Sequence, residues 1–118
     1  MITREVIHEI YRQCSKRPGC VDDIDLALLF DPEVSAYHNI YIDRSAAAIV
    51  IADIGADSMM RSIPLTHVFG ILPFERWLAI VLGSAILFID KTSPLISMHL
   101  APERGGLWHR ISRRLLGR

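Results

Sequence analysis

Cysteine is scarce in this sequence: Cys14 and Cys20, with five residues between them, are the only two among 118 residues. Neither a CxxC pair nor a second pair of ligands accompanies them, so the usual zinc signatures are excluded and no metal or cofactor is expected. The glycine-rich phosphate loops GxGxxG and GxxxxGK are missing, and so are the HExxH helix and the GxSxG elbow. Those absences remove the most recognisable nucleotide-binding, metalloprotease and hydrolase sites. Long hydrophobic runs are lacking as well. The longest uncharged stretches, such as Trp77–Ile89, run to 13 residues, short of the roughly 20 a membrane-spanning helix needs. The opening Met1-Ile2-Thr3-Arg4-Glu5 enters a charged pattern at once and has no apolar signal core. The expectation is a cytoplasmic chain with both thiols reduced. There is no excess of either charge: thirteen Lys plus Arg meet thirteen Asp plus Glu, which argues against a dedicated nucleic-acid binder.

Apolar material, in contrast, is plentiful at 51% of residues, enough for a domain of this size to fold on its own core. Val6, Ile7, Ile10, Tyr11 and Cys14 recur at helical spacing and predict an amphipathic helix over Thr3–Ser15. Thr3 suits its N-cap, Glu5 its first turn, and Pro18-Gly19 stops it. A second, shorter helix starts at Asp22 or Asp23 and ends at Asp31-Pro32, because the residue before proline avoids the helical region. From residue 38 the pattern changes to short β runs. Strands are predicted near His38–Asp43, Ala46–Asp53, Met59–Ile63, Thr66–Leu72, Arg76–Leu82, Ala85–Asp90 and Leu95–Leu100. Gly83-Ser84 between two equal apolar runs fits a two-residue type II′ hairpin, with glycine at positive φ. The rival reading, a single buried helix over Trp77–Ile89, is opposed by Gly83 at its centre and by its β-branched residues. The tail, 105–118, returns to helical spacing, with Leu107, Trp108, Ile111 and Leu115 on one face.

The fold class expected is therefore α+β, in one domain. It comprises a helical segment over 1–31, an antiparallel meander of six to seven short strands over 38–101, and a basic amphipathic helix over 105–118. The layout of short strands closed by a helix resembles pleckstrin-homology-like domains over roughly 38–117, with Ser62-Ile63-Pro64-Leu65-Thr66-His67-Val68 as the stretch carrying it. That resemblance implies a sheet or roll; it carries no ligand motif, and fold analogy transfers no function.

Two patterns bear on partners. In the central hairpin Trp77, Ala79 and Val81 point one way and Leu78, Ile80 and Leu82 the other, so both faces need cover. The N-terminal helices could supply it, or a second copy of the chain could. The last strand alternates, with Ile96, Met98 and Leu100 on a core face and Leu95, Ser97 and His99 on a wetter one. Charge is segregated too: residues 18–60 carry eight acids and one base, whereas 104–118 carry five arginines and no acid. An acidic segment docking the basic tail, within or between chains, is one reading; two separately solvated faces is the other.

Three functional readings follow. The first is a non-enzymatic domain working through protein contact, including self-association. The second is an anionic membrane surface or ligand module using Arg110, Arg113, Arg114, Arg118 and Trp108, since an arginine-rich amphipathic helix can lie on anionic lipid. The third is a small enzyme using a polar site of His67, His99 and Asp90, weighed against histidines that are merely structural.

Overall fold

The computed structural model describes residues 2–14, 18–52 and 60–101. The expected basic helix over 105–118 lies outside these residues, as does the turn expected at Gly55-Ala56-Asp57. Helix α1 spans Arg4–Gln13, and the Thr3 hydroxyl accepts the Val6 N–H as the N-cap. α2, Asp23–Ala27, opens with a capping box in which Asp22 and Asp25 exchange side-chain and backbone bonds. It tightens into a 3-10 turn over Leu28–Phe30. A further helical turn, α3, Pro32–Ser35, was not expected; Asp31 caps it and proline takes its first position, where a missing N–H costs nothing.

Among the described residues seven strands follow: β1 Asn39–Asp43, β2 Ala48–Ala52, β3 Met60–Pro64, β4 Val68–Pro73, β5 Trp77–Leu82, β6 Ala85–Asp90 and β7 Ile96–Leu100. All pair antiparallel, but they do not form one meander. β1-β2-β3 make one sheet and β4-β5-β6-β7 another. The break falls where Pro64 ends β3 and Leu65–His67 coil into a 3-10 turn. Proline supplies no ladder donor, and the turn redirects the chain onto a second layer.

The two sheets bury a shared core. Ile40, Ile49, Ile51 and Ile63 of the first sheet cluster with Ile71, Leu78, Ile80, Leu87 and Ile89 of the second, and Leu29 and Val34 close the side. The far face of the four-stranded sheet carries Ala79, Val81, Ile86 and Phe88, which cluster with Ile7 and Ile10 of α1. The hairpin of β5 and β6 is thus covered on both faces within one chain, by α1 on one side and the first sheet on the other. The separation by residue parity expected from the sequence holds, and the single buried helix does not form.

The Gly83-Ser84 turn differs from the expectation. β5 ends at Leu82 and β6 starts at Ala85, so the connection has the expected two residues, but Gly83 is not at positive φ and the turn is therefore not type II′. Glycine suits the position for another reason: a Cβ there would lie 3.3 Å from the Phe69 ring, a tight approach. The positive φ of the chain's start belongs to Gly19, at +84°. Its N–H reaches the Val68 carbonyl at 2.8 Å.

Candidate functional site

The sequence-derived polar site does not assemble. His99 is paired with Ile86 and Asp90 with Trp77. Four residues of β6 therefore separate them, roughly 13 Å of extended strand. His67 is exposed in the turn preceding β4, at one edge of the sheet, while β7 is at the other. Three strand spacings, roughly 14 Å, part it from His99. Proton relay needs hydrogen-bond reach or one bridging water, and the strand register forbids both. Arg110, Arg113, Arg114, Arg118 and Trp108 lie outside the described residues.

Asp90 has a structural occupation. It is fully buried at the end of β6. Its carboxylate accepts bonds from Thr92 N at 2.8 Å, Thr92 Oγ1 at 2.7 Å, and Arg76 Nη2 at 3.1 Å. Burial works to raise its pKa, but the Thr92, Arg76 and Ser93 hydrogen bonds outweigh it and hold the group well below the ordinary carboxylate value. The Asp90 backbone carbonyl accepts a 2.6 Å bond from Nε2 of His38, itself buried. This bond ties the start of β1 to the end of β6, sheet to sheet. His99 instead stacks edge-on against Phe88, ring centroids 5.3 Å apart.

What the structure does expose is β7. Its partners on β6 place Ile96 beside Ile89, Met98 beside Leu87 and Leu100 beside Ala85. Directly opposed residues share a face, so these three continue the face of the inter-sheet core. Only Ile96 packs against that core. Met98 is 62% exposed and Leu100 74%, with Leu95 just before the strand at 54%. The sequence expectation for this strand is thereby inverted: the apolar face is the wetter one, and Ser97 and His99 are half-buried. The first sheet, three strands wide, does not reach across to cover it.

Among the described residues, the four edge strands are not equivalent. β1 carries Asp43, and β3 carries Arg61 and Pro64. β4 is interrupted by a register shift between Val68 and Gly70, ends in Pro73, and has its Val68 carbonyl taken by Gly19. Charge, proline, bulges and covering loops are the devices by which proteins blunt a sheet edge. β7, Ile96-Ser97-Met98-His99-Leu100, has none of them. Sequence reasoning had one usable signal here, since the last strand of a meander is an edge by construction. The depth of the neighbouring sheet was not readable. The Ser97 Oγ is buried without a hydrogen-bond partner. Ser97→Ala is expected to raise stability by about 1 kcal/mol by removing that unsatisfied group, seen as a higher urea midpoint at unchanged slope.

Two larger concavities lie among the described residues. A cleft of about 500 Å³ lies between Ser62, Pro64, Thr66 and His67 on one wall and Gly83 and Ser84 on the other. A groove of about 670 Å³ runs between α2 with its 3-10 extension and the β1–β2 turn, lined by Leu26, Phe30, Ile42 and Leu65 with Asp23 and Arg44. None of the described helices is long and apolar enough to cross a membrane. No protein-family model matches the sequence, and no curated protein or solved structure matches the chain.

Proposed function

We propose that this protein is a non-enzymatic contact domain that self-associates by pairing β7 with β7 of a second copy. The observation that carries this reading is the β7 edge, which no strand among the described residues pairs, with three exposed apolar side chains on or beside a strand lacking charge, proline and bulge. Antiparallel pairing of two identical edges is self-complementary, so one patch serves both partners. Each backbone edge gains the ladder bonds it lacks, and Met98 and Leu100 leave water. The patch is small beside the roughly 1,200–2,000 Å² of a stable interface. Association is accordingly reversible and concentration-dependent. Cys14 and Cys20 form no disulfide, which suits a reducing, cytoplasmic setting.

Light scattering across a concentration series tests the reading. The mass is expected to rise from one chain toward two, and Met98→Lys is expected to hold it at one chain with the circular dichroism unchanged. A wild-type protein that stays at one chain up to millimolar concentration would refute self-association. A Met98→Lys protein that still doubles would place the contact elsewhere.

A further inference from the structure

We propose that the groove between α2 and the β1–β2 turn is the docking site for this chain's own C-terminal segment, residues 104–118. Three observations, independent of the β7 contact, meet here. The first is the character of the groove. Leu26, Ile42 and Leu65 form an apolar floor, and Phe30 stands beside it with 48% of its surface exposed. Such a lining leaves a real gain for an apolar occupant. The second is charge. Asp23 lines the groove, Asp31 follows Phe30, and Asp43 sits between Ile42 and Arg44; Arg44 is the one base among residues 18–52. Asp43 accepts bonds from Ser45 Oγ at 2.7 Å, Ser45 N and Ala46 N, which fix its carboxylate in the turn. The segment beyond residue 103 offers the complement: Arg104, Arg110, Arg113, Arg114 and Arg118 with no acid, interleaved with Leu107, Trp108, Ile111 and Leu115. The lining itself carries one acid, Asp23, and one base, Arg44, so the apolar floor is the main match to the segment, and Asp23, with Asp31 and Asp43 adjoining lining residues in the chain, is what its arginines would meet.

The third observation is reach. The Ala101 N–H donates to the Ser84 carbonyl at 2.8 Å, which fixes the point where the tail departs. Ser84 forms one wall of the cleft whose other wall includes Pro64 and Thr66, and Leu65 between them lines the groove. The tail therefore leaves from the near rim of a single cleft whose far rim borders its destination. Residues 102–107 can span roughly 20 Å when extended, enough to cross a cleft of about 500 Å³ and bring Leu107 and Trp108 to the groove.

Trp108 supplies the readout, since Trp77 is the only other tryptophan. In a full-length Trp77→Phe protein, Trp108 emission is expected to be blue-shifted, with acrylamide quenching several-fold below that of free N-acetyl-tryptophanamide. Phe30→Asp in that background is expected to return both to the solvent values while far-UV circular dichroism is unchanged. Asp23→Lys, at the exposed rim, is a second variant for the case in which Phe30→Asp disturbs folding, and it should weaken the shielding in the same direction. A Trp108 that is solvent-like in the parent would overturn the proposal. So would shielding indifferent to both variants, which would place the segment elsewhere. Shielding lost on dilution would assign the groove to the tail of a second copy instead.

Discussion

Phe88→Ala is expected to cost about 3–5 kcal/mol, the range for emptying a large buried aromatic site. Phe88 is 1% exposed on β6, between the sheet and α1. Its ring meets Trp77 edge-on with centroids 6.2 Å apart and His99 at 5.3 Å. Removing it opens a hole bordered by Ile7 and Ile10 on one side and β-branched strand residues on the other, and neither wall can collapse freely. A domain of this size has a total stability of roughly 5–15 kcal/mol, so the loss is a large fraction of the margin, and the variant should lose near-ultraviolet ellipticity from Trp77. The measurement is urea unfolding followed by far-UV circular dichroism. A cost under 1 kcal/mol would mean that α1 does not rest on this face. Trp77 itself is only half-buried, with Arg76 over its ring at 5.6 Å, so its truncation should cost less than that of Phe88.

Asp90→Ala is the second large effect, expected at roughly 2–4 kcal/mol, because hydrogen bonds to a charged group are worth more than neutral ones and Thr92 would lose its acceptor. Arg76 is 61% exposed on its side chain, so its guanidinium would return to water and adds little to the cost. The pH dependence has a definite sign. The folded protein holds the Asp90 pKa below its unfolded value, so the folded state favours the ionised form. This contribution is fully present above the unfolded carboxylate value of about 4 and is lost as pH falls from there through the folded value. Wild-type stability should therefore decline below pH 4 more steeply than that of Asp90→Ala. Parallel acid limbs for the two proteins, measured by thermal unfolding at pH 2 to 7, would show that the buried carboxylate is not the group responsible.

Much of this fold was legible from residue pattern. The amphipathic spacing of Val6, Ile7 and Ile10 located α1, and the uninterrupted apolar runs either side of Gly83-Ser84 located β5 and β6, the latter at Ala85–Asp90 as read from the sequence. The division into two sheets was not legible, because Pro64 and the following 3-10 turn look the same in sequence whether the chain makes a hairpin or changes layer. Nor was the role of Gly83, which depends on a Phe69 ring fourteen positions away. The polar site fared worst. His67, His99 and Asp90 could be placed on neighbouring elements, yet their distances are set by register and strand order, which no local pattern encodes. For β7 the alternation of side chains was read correctly while its orientation to water was reversed. Which face of an edge strand is dry depends on how wide the opposing layer is, and that is a property of the assembled sandwich.

The unequal treatment of the two edges of the four-stranded sheet has a consequence for growth. An open strand at each end would let copies add without limit, head to tail, into a fibril. Here the register shift at Val68/Gly70, Pro73 and the Gly19 bond blunt the β4 end, so under the proposed self-association this sheet would join through β7. Two copies that meet there consume both of their available ends at once. The proposed pairing would give an eight-stranded sheet ending in β4 on either side, an assembly whose geometry would stop polymerisation at the first step.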